Sequence, residues 1–140
     1  MSLPQRLEDF AGAWTVSRVI TDRTGGPEGR FAGVAELTPD PEGLIYTETG
    51  QLRLGAAAPF HATRRYLWRA DGDAILTFFD DGRPFHRIAL GEAQARDLHD
   101  CPPDIYRVLY DFGGWPRWTA RWDVTGPRKD YLMVSQYGRA

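Results

Sequence analysis

The sequence predicts an all-β domain: an antiparallel up-and-down barrel of about ten strands with a short N-terminal helix at one end. Three observations carry this reading. From Trp14 onward, apolar and polar residues alternate with a period of two. Clusters of Gly, Pro and Asp punctuate the alternating runs at roughly 8–12-residue intervals, the rhythm of sandwiches and barrels. Aromatic residues, which fit a pleated surface, are abundant, with five Trp, six Tyr and seven Phe in 140 residues. Short connections favour a meander over a Greek key, which needs one long return. Closing the meander removes exposed edges, which favours a barrel.

Taken in order, Ser2-Leu3-Pro4-Gln5 has the form of a capping box, and Leu3, Leu7 and Phe10 recur at helical spacing before Gly12. A helix of about two turns is expected there, docked by its apolar face because it is too short to stand alone. Trp14, Val16, Arg18 and Ile20 then share one face of the first strand. Gly25-Gly26-Pro27 makes a loop, residues 31–38 a second strand, and residues 44–54 a third with Tyr46, Glu48 and Leu52 on one face. In the fourth, residues 61–69, Arg64, Tyr66 and Trp68 alternate with Thr63, Arg65 and Leu67. Asp71-Gly72-Asp73 and Asp80-Asp81-Gly82-Arg83 are hairpin turns around residues 74–79, followed by a strand at 85–90. Residues 93–101 fit either helix or strand and are read as strand. Residues 105–112, 118–125 and 131–137 complete the series, broken by Pro102-Pro103, Gly113-Gly114 and Gly126-Pro127.

Composition bounds the function. A chain of 140 residues makes one domain, 1–140, with room for a real core. A formal charge of −2 gives no reason to expect nucleic acid or an anionic membrane as partner. No stretch reaches the length of a membrane-spanning helix. Arg6, Glu8 and Asp9 interrupt the apolar run that a secretory leader would need. Cys101 is the single cysteine, which excludes an intrachain disulfide and points to a reducing, cytoplasmic setting.

Gly12-Ala13-Trp14 at the head of the first strand resembles the Gly-x-Trp opening of the lipocalin and fatty-acid-binding barrels, the calycins. That resemblance implies a calycin-like barrel whose Trp packs under the floor against an Arg from a late strand, here Arg121, Arg128 or Arg139. A longer set resembles a bacterial domain family of unknown function over nearly the whole chain. It comprises Tyr46-x-Glu48, Arg65-Tyr66-x-Trp68, Asp81-Gly82-Arg83-x-Phe85-His86, His99-x-Cys101-x-x-Asp104-x-Tyr106 and Gly126-Pro127-Arg128-Lys129. Fatty-acid-binding proteins hold a carboxylate with Arg-x-Tyr on the last strand. This chain has the reverse order, Tyr137-Gly138-Arg139, so that ligand is not carried over.

In a barrel every other residue points inward. The face of Trp14 and the aromatic faces elsewhere then assemble Arg18, Tyr46, Glu48, Arg64, Tyr66, Trp68, His86, Tyr106, Trp118, Trp122 and Arg139 as candidate ligand-binding residues. Buried charges must pair or cost several kcal/mol each, of order, so either these groups satisfy one another or a ligand completes them. Aromatic walls suit a ring-bearing molecule and guanidinium forks suit carboxylate or phosphate. A small anionic aromatic or amphipathic ligand is therefore expected, with Arg18, Arg64 and Arg139 supplying charge, the Tyr and Trp residues forming walls, and Glu48 and His86 setting orientation. The rivals are an isomerase or cyclase using His86 or Glu48 as acid/base in the same cavity, and an interaction module with a filled core. His99 and Cys101 share a strand face, but Asp97, Asp100 and Asp104 would raise the thiol pKa, which disfavours a nucleophile. His61, His86 and His99 lack metal-pair spacing, and haem ligation by one of them would rest on fold analogy alone. No metal or cofactor is expected.

Overall fold

The computed structural model describes residues 2–140, whose strands form one continuous antiparallel sheet. Its ten strands are β1 (Gly12–Asp22), β2 (Gly29–Asp40), β3 (Gly43–Leu54), β4 (Phe60–Asp71), β5 (Ala74–Phe79), β6 (Pro84–Ala89), β7 (Gln94–Cys101), β8 (Asp104–Asp111), β9 (Trp118–Thr125) and β10 (Asp130–Arg139). The ambiguous segment at 93–101 is therefore strand. Hydrogen-bonded order runs β6-β5-β4-β3-β2-β1-β10-β9-β8-β7. The first and last strands are paired, Trp14 opposite Arg139 and Asp22 opposite Tyr131, so the chain ends close the barrel. The remaining seam lies between β6 and β7, which share no ladder. Across it, the Asp97 carboxylate on β7 accepts the Arg87 backbone N–H of β6 at 2.6 Å, and its other oxygen is steadied by the neighbouring Leu98 N–H at 2.8 Å. The barrel is nearly closed, and one side chain bridges its two free edges. No helix of the described residues is long and apolar enough to cross a membrane.

The expected N-terminal helix is instead a single 3-10 turn, Leu7–Phe10. Arg6 is extended (φ −142°, ψ 159°) and so is Ala11 (φ −60°, ψ 143°), so helical backbone cannot propagate either way. The cap lies four residues later than Ser2 suggests: the Asp9 carboxylate accepts the backbone N–H groups of Gln5 and Arg6 at 2.8 and 3.0 Å. A three-residue repeat places Leu7 and Phe10 on one side, and both are buried.

That turn closes the barrel floor. The Phe10 ring meets Trp68, Phe112, Trp115 and Trp118 edge-on at centroid distances of 4.9–5.7 Å. Such pairs contribute about 0.5–1.5 kcal/mol each beyond their buried area. Trp14 is wholly buried and donates its indole N–H to the Phe10 carbonyl at 2.9 Å. The Arg139 guanidinium lies 3.8 Å from the Trp14 ring centroid and donates to the Ala11 and Asp9 carbonyls at 2.8 Å each. It is therefore the Arg under the Trp. The turns at residues 80–83 and 102–103 sit at the opposite, open end.

Two local choices shape the space above the floor. Gly33 and Gly50 face each other across β2 and β3, where a Cβ would strike backbone of the facing strand and the Phe31 ring lies across both. This brings Phe31 beneath the Arg18 guanidinium at 5.1 Å. Gly82, at φ +90°, supplies the left-handed residue that the tight β5–β6 turn requires.

Candidate functional site

Above the floor the barrel encloses a cavity of about 550 Å³, open at the end away from Trp14. That volume lies within the usual range for small-molecule sites, roughly 300–1,000 Å³. The core is therefore solid below and hollow above, which removes the filled-core reading.

The deep wall carries a closed polar network. Arg18 donates through both Nη atoms to the two Glu48 oxygens at 2.8 Å and through Nε to Ser135 Oγ at 2.7 Å. The Tyr46 hydroxyl donates to Glu48 Oε1 at 2.6 Å and meets the Tyr137 hydroxyl at 2.8 Å. Arg18 and Glu48 are 6% and 1% exposed, so the pair is desolvated. Breaking one partner of such a pair typically costs about 3–5 kcal/mol. Burial acts to raise the Glu48 pKa, but the bonds from Arg18 and Tyr46 outweigh it and hold the carboxyl below its ordinary value. Burial likewise opposes the Arg18 charge, and the contact with Glu48 overrides it, leaving the guanidinium pKa raised. Burial pushes the Tyr46 hydroxyl well above 10.0. The charges inside this network cancel.

A second closed group sits beside the seam. His86 Nδ1 lies 2.8 Å from Thr77 Oγ1, and Nε2 lies 2.7 Å from the Tyr110 hydroxyl. Thr77 Oγ1 accepts the His86 backbone N–H and donates to the His86 carbonyl, which assigns the ring proton to Nδ1 and makes Nε2 the acceptor from Tyr110. Burial lowers the His86 pKa to about 3, so the ring is neutral. Neither ring nitrogen is free for a substrate or a metal, and Glu48 is held by Arg18. The two groups expected as acid/base are committed elsewhere.

What remains unmatched lies higher on the wall. Of the three arginines lining the cavity, Arg18 is paired with Glu48, and Arg83, at the rim, is paired with Asp81 at 2.7 Å. Arg64 is the third. Its nearest carboxylate oxygen, Glu48 Oε2, is 4.0 Å away, and its other polar contact is Met133 Sδ at 4.0 Å. Its side chain is 40% exposed, so it is reachable through the mouth. Beside it, starting two residues along β4, is an aromatic slab in which Tyr66 and Phe79 stack on Phe85, and Phe85 on Trp122, with centroids 5.6, 4.4 and 5.0 Å apart. Trp118 stacks on Tyr137 at 3.8 Å, and its indole N–H is a buried donor without a partner among the described residues.

Arg18, Tyr46, Glu48, Arg64, Tyr66, Trp68, His86, Tyr106, Trp118 and Trp122 thus all line one cavity. Arg139 does not. It is in phase with Tyr137 on β10, but its register partner is Trp14, so it falls beneath the floor. Tyr106 lies near the mouth, where its hydroxyl accepts from Lys129 Nζ at 2.9 Å. His99 and Cys101 also line the rim, with the His99 ring edge-on to Phe85 at 5.2 Å and the thiol exposed. Thr77, Phe85, Tyr110, Ser135 and Tyr137 were missed from sequence. The alternations Tyr106-Val108-Tyr110 and Met133-Ser135-Tyr137 carry the signal for three of them. Phe85 follows a register shift between Leu76 and Phe78, which destroys the phase.

Fold and site together define a ten-stranded antiparallel barrel with a polar, aromatic-walled internal cavity. The model of the DUF6314 family, a family of unknown function, matches residues 10–139, and the chain belongs to that family. No curated protein matches. Among solved structures, a DUF3598-family protein of unknown function from Nostoc punctiforme PCC 73102 aligns at TM-score 0.64 and 12% identity. The alignment covers 100% of this chain and 51% of that one, so the chain spans about half its length, and the likeness speaks for the fold alone. A redesigned β-barrel, mFAP1, bound to DFHBI, aligns at TM-score 0.46 and 10% identity over 97% of this chain and 100% of that one, too distantly to bear on function.

Proposed function

We propose that the protein binds a small organic anion, aromatic or amphipathic, in the upper cavity, with Arg64 taking its carboxylate, sulfonate or phosphate. The observation that carries this is the pairing of the arginines on the wall: Arg18 is matched by Glu48 and Arg83 by Asp81, whereas Arg64 is left without a hydrogen-bonding carboxylate beside an aromatic slab. A guanidinium in a partly dry pocket attracts an anion with a charge-assisted hydrogen bond, and stacked rings offer a planar partner a face. Tyr46, Glu48 and Arg18 act in this reading as a fixed polar wall, and Trp68, Trp118 and Trp122 as apolar surface. A calycin-like ancestry belongs to the same proposal, supported by Arg139 over Trp14. So does a cytoplasmic setting, which the lone free cysteine favours.

The test uses 8-anilinonaphthalene-1-sulfonate, an anionic aromatic probe whose fluorescence rises in apolar sites. The wild type is expected to bind it one to one, Arg64→Leu to weaken binding about tenfold, the usual loss for a charged hydrogen bond, and Arg96→Leu on the outer face to leave it unchanged. Equal affinity in wild type and Arg64→Leu, or no binding by either, overturns the proposal.

A further inference from the structure

The β3–β4 hairpin, at the open end of the barrel, has an unusual tip. Residues 54–60 read Leu-Gly-Ala-Ala-Ala-Pro-Phe, with no charged or hydrogen-bonding side chain, and all seven are exposed. Among the described residues three large apolar side chains are exposed, and two of them, Leu54 at 41% and Phe60 at 48%, form the shoulders of this tip; Leu98 stands apart on β7. The tip is held in shape, with Gly55 N–H donating to the Glu28 carbonyl at 2.8 Å and Ala57 N–H to the Leu54 carbonyl at 3.1 Å. Leu52 faces Phe60 in register, and both are in phase with Glu48 and Arg64, which face each other lower down. The apolar lip therefore stands on the same two strands beyond the rim, outside the residues that line the cavity.

Cations stand directly behind it. Arg53 precedes Leu54 and faces Arg30 across β2 and β3. Arg30 pairs with Glu28 at 3.1 Å, whereas Arg53 has no acidic side chain within ion-pair distance among the described residues. One or two strand residues of about 3.3 Å separate these guanidinium-bearing positions from the apolar shoulders. That spacing matches an apolar element buried roughly 5–10 Å at a bilayer surface with its arginines at the phosphate level.

We propose that the β3–β4 hairpin docks the open end of the barrel onto an anionic phospholipid surface. The convex shape favours lipid over a protein partner, because seven consecutive side chains without a donor or acceptor match a fluid apolar layer and supply none of the polar rim of a protein interface. The docked pose turns the cavity mouth towards the membrane. Net charge and the lack of a spanning segment led to an expectation of no membrane partner, but both are whole-chain measures to which a seven-residue tip contributes almost nothing.

Sedimentation with large vesicles tests this directly. Wild type is expected to pellet with vesicles containing one-third phosphatidylglycerol at low salt, several-fold less with phosphatidylcholine alone, and less as salt rises. The Leu54→Ser/Phe60→Ser double variant is expected to lose most of the pelleted fraction and Arg53→Gln part of it. Both shoulders are half exposed, so the double variant keeps the fold and, binding the naphthalene sulfonate in its cavity as before, separates this proposal from the ligand-binding one. Wild type remaining in the supernatant with both vesicle types, or pelleting equally in the double variant, overturns the proposal. So does self-association that the double variant abolishes without any vesicle binding, which would make the tip an interface between copies.

Discussion

His86 gives the barrel a specific acid sensitivity. Its pKa is about 3 in the fold against 6.5 in an open chain, because burial disfavours the imidazolium. Between those values the unfolded chain holds a proton that the folded one does not. The stability it contributes is whole above 6.5 and falls as pH drops towards 3, at up to about 1.4 kcal/mol per pH unit for one proton. Glu48 acts lower: its carboxyl is held below the ordinary 4.5, so its contribution persists above 4.5 and disappears as pH falls through the depressed value. Urea unfolding at pH 7, 6 and 5 is expected to show wild type losing stability across that window and His86→Gln losing less per unit; identical slopes would mean another group takes up the proton. The inward aim of Arg18, Glu48, Arg64 and His86 was legible from strand alternation once the face of Trp14 and the aromatic faces were taken as the lumen. Their pairing was not, because whether Glu48 belongs to Arg18 or Arg64 depends on the register across β1, β2, β3 and β4. Arg139 illustrates the same limit, since phase says which way a side chain points and nothing about its height relative to a plug.

The strands were readable because turn chemistry and alternation agreed at most connections, with residues 93–101 the segment where alternation alone did not decide. The N-terminal segment was misread because Ser-x-x-Gln fits a cap, while the deciding interaction, Asp9 accepting from Gln5 and Arg6, lies further along. The seam was beyond reach as well. A meander pairs neighbours in sequence, yet β6 and β7, joined by a short link, are the one adjacent pair without a ladder, and Asp97 supplies a side-chain substitute. Asp97→Ala is expected to speed hydrogen exchange at the Arg87 and Leu98 amides about tenfold or more while leaving β1–β10 amides untouched, as a free edge opens locally. Unchanged exchange at those two amides would show that the seam is closed by the packing of Phe85 and His99 instead.

Across the whole molecule, aromatic residues perform two different jobs at two heights. Below, Phe10, Trp14, Phe112 and Trp115 fill the barrel and fix its closed end. Above, Tyr66, Phe85 and Trp122 leave room, and the polar groups around that space are matched except on Arg64 and the Trp118 indole N–H. A barrel needs the first to fold, and the second becomes affordable once the floor is solid. The decisive measurement is a crystal structure of the protein with 8-anilinonaphthalene-1-sulfonate. The sulfonate should lie within hydrogen-bond reach of the Arg64 guanidinium with its rings against the Tyr66–Phe85–Trp122 slab. A probe found instead on the outer face beside Arg96, Arg107 and Arg121, with only water in the cavity, would contradict a binding role for the barrel interior.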